Sequence, residues 1–135
     1  MTNCVFCDII TKKLPAYIVH EDNNVIAILP KDMEVYGHTL VIPKKHYESI
    51  FDVEESDLHN VLSCVKHLSL HYQKTLGATG VNILNASGKD AQQSVFHLHF
   101  HIIPRFPKDK LDTRPKFPLC EIDKESVLKT ILGNE

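Results

Sequence analysis

The sequence predicts an α+β fold: an antiparallel sheet of about five strands with one long helix and short helices near the termini. Three observations carry that expectation. Five short runs rich in apolar and β-branched residues are bounded by turn-forming residues, and most are joined by short connections. One segment, from about Glu54 to Leu76, repeats apolar residues at spacings of three and four. At 135 residues with 43% hydrophobic content, the chain has about one domain's length and enough apolar mass for a core.

Asn3–Lys13 reads as a short helix, with Asn3 as N-cap and Val5, Phe6, Ile9 and Ile10 as its apolar stripe; Pro15 stops it. Tyr17–Glu21 and Asn24–Leu29 are strands around the polar turn Asp22-Asn23-Asn24, and Thr39–Ile42 is a third that ends at Pro43. The long helix gathers Leu58, Val61, Leu62, Val65, Leu68, Tyr72 and Leu76 on one side, with Ser56 or Asp52 to cap it and Gly77 beyond its end. Gly80–Leu84 and Val95–Ile103 complete the strands. Four prolines between 104 and 118 mark an irregular stretch, and Lys124–Leu132 is a short final helix. A single domain over residues 1–135 is expected, its motifs within 3–105 and a Pro-rich tail over 106–135.

Charge excludes some functions. Lys and Arg total 15 against 17 Asp and Glu, so bulk charge does not favour nucleic acid. No apolar run approaches the ~20 residues of a membrane span. Met1–Thr11 lacks the basic-then-apolar pattern of a secretory signal, and four cysteines are too sparse for a disulfide scaffold. A cytoplasmic protein without membrane or nucleic-acid partners is expected. Nine histidines and no tryptophan stand out, and Cys4-x-x-Cys7 reads as metal or redox chemistry in a reducing compartment.

The segment Phe96-His97-Leu98-His99-Phe100-His101-Ile102-Ile103-Pro104-Arg105 is decisive. On a strand, alternate side chains share a face, so Leu98, Phe100 and Ile102 enter a core. His97, His99 and His101 line the other face, about 6.6 Å apart. One histidine there is ordinary surface; three in alternation answer no packing need. Metal ligation or chemistry at a phosphate remain.

This segment, preceded by Gln93-Ser94-Val95, resembles the signature of the histidine triad (HIT) superfamily. Gly37-His38-Thr39-Leu40-Val41-Ile42-Pro43-Lys44-Lys45-His46 is similar to its second sequence block. Cys4-x-x-Cys7 resembles the zinc-bearing microbial HIT hydrolases, a Hint-like branch. The resemblance covers roughly residues 3–105. It implies a HIT-like fold and cleavage of a nucleoside 5′-phosphoryl bond, in a purine phosphoramidate or a dinucleoside polyphosphate. In that chemistry His99 is the nucleophile that becomes nucleotidylated, and His101 and His38 face the phosphate. Gln93, Ser94 and Asn85 lie toward the phosphate and leaving group. Val5, Phe6, Ile9 and Ile28 match the pocket for a purine base. Cys4, Cys7, His46 and His97 match a structural Zn²⁺ site, a tetrahedral Cys₂His₂ set. A homodimer is the family expectation.

Pro30 stands where relatives carry an Asp that holds the ribose hydroxyls. Ala86 and Gln92 also depart from the pattern. Two other functions compete: a nucleotide-binding HIT protein with little turnover, and a zinc-dependent hydrolase in which His97, His99 and His101 ligate a catalytic metal. His20, His59, His67 and His71 are expected on the solvated surface, Cys64 as a small partly buried residue, and Arg105 within reach of phosphate.

Overall fold

The computed structural model describes residues 3–133. Its sheet is antiparallel throughout and ordered β1-β2-β3-β5-β4. The strands are β1 Tyr17–Glu21, β2 Val25–Leu29, β3 Thr39–Pro43, β4 Gly80–Leu84 and β5 Phe100–Arg105. Helices α1 Val5–Ile10, α2 Glu55–Thr75 and α3 Lys124–Leu132 accompany them. The expected α+β class and five strands are present.

Side-chain alternation divides the central strands between two cores. Val25, Ala27, Val41, Leu98, Phe100 and Ile102 pack with Val61, Cys64, Val65, Leu68 and Tyr72 of α2. Ile26, Ile28, Leu40 and Ile42 point the opposite way and pack with Cys4, Phe6 and Ile9 of the α1 segment. Because β2 and β3 are covered on both faces, they read as continuous apolar runs. Truncating Ile26 or Ile42 to Ala would cost about 2–5 kcal/mol.

Several boundaries differ from the sequence expectation, each for a local reason. Cys4 rather than Asn3 caps α1, its Sγ accepting from the Cys7 amide at 3.2 Å. The helix ends at Ile10, before Pro15 is reached, because Lys12 turns left-handed (φ 66°) and the amides of Lys13 and Leu14 close on the Asp8 carbonyl. Neither Ser56 nor Asp52 caps α2. Glu54 holds the N-cap position without a side-chain bond, and Asp52 instead accepts from the Glu48 and Ser49 amides. Leu62 lies outside the buried stripe of α2, and Cys64 takes its place. Gly77 follows the helix at φ 76°, as expected.

The last strand begins at Phe100 rather than Val95, so only His101 of the three histidines lies on it. The ladder between β3 and β5 starts at Val41 opposite Phe100. Further back the partner strand reaches Pro43, which has no N–H to donate and whose carbonyl is taken by the His97 side chain. The alternation nonetheless holds: Leu98, Phe100 and Ile102 are buried on the α2 side. His101 sits opposite Leu40, on the α1 side.

Candidate active site and metal cluster

The three histidines face α1, and most of their polar atoms are already committed. His99 donates Nδ1–H to the His97 carbonyl at 2.8 Å, which leaves Nε2 bare. Asn85 donates to the His99 carbonyl at 3.0 Å, and the Ser87 hydroxyl donates to Asn85 Oδ1 at 2.7 Å. Backbone and ring of His99 are therefore both held. Phe6 packs edge-on against His99 and His97, with ring centroids 5.1 and 5.8 Å away. Burial lowers the proton affinity of His99, so the neutral ring with its free Nε2 is the form present near pH 7.

His101 is paired with His38, Nδ1 to Nε2 at 2.9 Å, with the rings nearly stacked. Burial, then His99 and His38, push His101 down to about 4, and burial also lowers His38. Between two neutral rings one proton lies in the bond. His38 Nδ1 is buried with no partner, and a bare nitrogen is cheaper to orphan than an N–H. The bond network thus assigns the shared proton to His38 Nε2, which leaves His101 with an Nε2–H to donate. His38 acts on His101 through Nε2, and its bare, buried Nδ1 offers no N–H to a phosphate.

Cys4, Cys7, His46 and His97 converge so that their four ligand atoms lie within 4.8 Å of one another. The Sγ–Nδ1 separations are 3.3–3.6 Å and the two Nδ1 atoms are 3.1 Å apart. A tetrahedron built on ordinary Zn–S and Zn–N bonds has S–N edges of about 3.6 Å and an N–N edge of about 3.3 Å. His97 donates Nε2–H to the Pro43 carbonyl at 2.8 Å, which leaves Nδ1 bare for a metal. Burial and the neighbouring Cys4 push the Cys7 thiol up to about 11, so a thiolate there needs a cation beside it. The residues fit zinc. Among the described residues no such group gathers His97, His99 and His101, which is the set a catalytic metal would need.

Val5, Phe6, Ile9 and Ile28 line a single apolar cleft of about 1130 Å³, together with Leu14 and Met33. Leu29, Pro30 and Lys31 form part of its wall, and among the described residues no carboxylate lines it. Gln93 is buried, and both its N–H groups are spent on the carbonyls of Glu48 and Val95. Its Oε1 accepts from the Gly88 amide. Gln93, expected toward the phosphate and leaving group, thus has no N–H left over for a ligand. Ser94 is exposed at the surface of the same loop. Arg105 is turned away into a clamp with Asp109, Asn82, Thr113 and the Leu111 carbonyl, so it does not serve the site. His20, His59, His67 and His71 are exposed.

Sequence reasoning missed the buried pair Thr39–Tyr72, whose hydroxyls meet at 2.6 Å. The available signal was a tyrosine on the apolar stripe of α2, since a buried phenol requires a partner.

The HIT domain family matches residues 11–108, and the chain belongs to that family. It is 43% identical over 131 residues to an uncharacterized HIT-like protein of Methanocaldococcus jannaschii, covering 96% of this chain and 99% of that one. It is 37% identical over 109 residues to an adenylylsulfatase of Arabidopsis thaliana, covering 81% of this chain and 55% of the relative. Among solved structures, a Zn-bound histidine triad family protein from Mycobacterium smegmatis superposes with a TM-score of 0.76 at 37% identity, over 84% of this chain and 83% of that one. Among the described residues no helix is long and apolar enough to cross a membrane.

Proposed function

We propose that the protein cleaves a nucleoside 5′-phosphoryl bond, in a purine phosphoramidate or dinucleoside polyphosphate, through a nucleotidyl-His99 intermediate. The observation that carries the reading is the His99 Nδ1–H bond to the His97 carbonyl, which fixes the tautomer and bares Nε2. The base occupies the apolar cleft beside Phe6, which places the α-phosphorus against His99. Nε2 attacks phosphorus, and the leaving-group bond breaks. His101 donates its Nε2–H where charge develops, and His38 holds it in the donating tautomer. Water then breaks the P–N bond and releases the monophosphate. Asn85 positions the nucleophile, Gln93 shapes the loop, and Ser94 lies toward the leaving group. With Pro30 in the cleft wall, the base is the main handle on the nucleoside.

Zinc, held by Cys4, Cys7, His46 and His97, would be structural: it joins α1 to the end of β3 and to the segment carrying His99. Free thiols suit a cytoplasmic setting. A homodimer is supported by the free edge of β4, with Ile83 and Leu84 exposed, and by the uncovered α3. The adenylylsulfatase activity named for the Arabidopsis relative falls within the same class of bond cleavage.

The test is to mix enzyme with an adenosine phosphoramidate, quench in alkaline denaturant to preserve P–N bonds, and measure intact mass. An adduct of one nucleoside monophosphate is expected on the wild type and none on His99→Gln, whose turnover falls about 10³-fold or more. Full turnover by His99→Gln would sink the reading. Tight nucleotide binding without product would favour the binding-only alternative.

A further inference from the structure

We infer that Thr39 and Tyr72 form a buried hydroxyl relay that positions His38 and thereby sets the tautomer of His101. The Thr39 hydroxyl donates to the Gly37 carbonyl at 2.9 Å, because a carbonyl can only accept. In the 2.6 Å contact with Tyr72, the proton must then come from the phenol. The order is fixed as Tyr72 to Thr39 to Gly37, and the next residue in the chain is His38. Both hydroxyl residues are buried, Thr39 completely, so water cannot substitute for either. Gly37 sits at φ 80°, and a Cβ there would stand 2.7 Å from Leu76 Cδ1 and 3.1 Å from Pro104 Cγ. The turn is therefore clamped between the last turn of α2 and β5, and the relay pins its carbonyl. His38 also donates its amide to the Val35 carbonyl. With the main chain held on both sides, the His38 ring lies stacked against His101, its Nε2 bonded to His101 Nδ1. Tyr72 and Thr39 are positioning residues; they touch no substrate.

The inference rests on the donor role proposed for His101, and its test includes a reading that needs no substrate. Full-length chain labelled with ¹⁵N at histidine is compared with Thr39→Val, Thr39→Ser and Tyr72→Phe by long-range ¹H–¹⁵N correlation at neutral pH. In the wild type His38 and His101 each carry the proton on Nε2. In Thr39→Val the His101 signals average between tautomers, and kcat on an adenosine phosphoramidate falls about tenfold or more with KM little changed. Thr39→Ser restores both, and Tyr72→Phe falls between. The double variant is no worse than Thr39→Val, because the two hydroxyls act in series. Wild-type tautomers and kcat in both Thr39→Val and Tyr72→Phe, even with lowered melting temperatures, would overturn the relay. If Thr39→Val does not fold, unchanged tautomers in Tyr72→Phe overturn it alone. A wild type with no turnover would defeat the proposed reaction, while the tautomer comparison still decides the relay.

Discussion

The proposed attack by His99 rests on bonds made through its other polar groups, which leave Nε2 bare. Its Nδ1–H and its carbonyl are both occupied, and burial keeps the ring neutral. The same economy governs Gln93, whose amide binds two backbone groups of its own loop, at Gly88 and Val95, and the Glu48 carbonyl of the segment after β3. Gln93→Ala should therefore lower stability by about 1–3 kcal/mol in urea titrations, because it removes a buried side chain that bonds the Gly88 amide and the carbonyls of Glu48 and Val95. A change confined to KM would return Gln93 to the substrate. His101 makes a pH prediction. Its folded pKa of about 4 lies below the unfolded value near 6.5, so between those pH values the unfolded chain binds more protons. Its contribution is present above pH 6.5 and is lost as pH falls toward 4. Wild type should lose stability across that window more steeply than His101→Gln, measured by denaturant midpoint at each pH.

At the scale of elements, the short α1 does two jobs with six residues. Cys4 caps it and joins the Cys/His cluster, while Phe6 closes the apolar core, lines the apolar cleft and packs on His99. A six-residue helix is not stable by itself, so its place depends on packing and on the cluster. Cys7→Ser, or a strong chelator, should remove one equivalent of zinc and lower Tm by roughly 10 °C or more, read by metal analysis and thermal melts. If the metal were catalytic, metal-depleted protein that remains folded would be inactive; residual turnover at low temperature is expected instead. The loop before the triad carries Gln92 at φ 67°, a left-handed conformation that glycine adopts more readily. Gln92→Gly should raise stability by about 1 kcal/mol, seen as a higher Tm.

At the scale of the molecule, the sheet ends unprotected on both sides. β1 is exposed along its length, and β4 leaves Ile83 and Leu84 in solvent. Past Arg105 the chain is tied to β4 through Asn82 and Thr113. It then forms α3, whose Val127, Leu128, Ile131 and Leu132 are exposed. An exposed edge and an apolar helix on one protomer fit association of two copies. Ile83→Lys should convert the expected dimer to a monomer in light scattering after size exclusion, without loss of the core.

The sequence by itself determined the class of fold, the alternation that sends Leu98, Phe100 and Ile102 inward, and the final helix with its bounds, because periodicity and caps are local properties. It also made the convergence of Cys4, Cys7, His46 and His97 legible, through two spaced blocks and a resemblance. What it left undecided were hydrogen-bond partners, which depend on distances between segments far apart in the chain. Only the tertiary structure showed that Gln93 is consumed by the backbone, that Arg105 faces the tail, and that His38 answers to His101. The Thr39–Tyr72 bond belongs to the same group: it spans 33 positions in sequence and exists because α2 lies across β3.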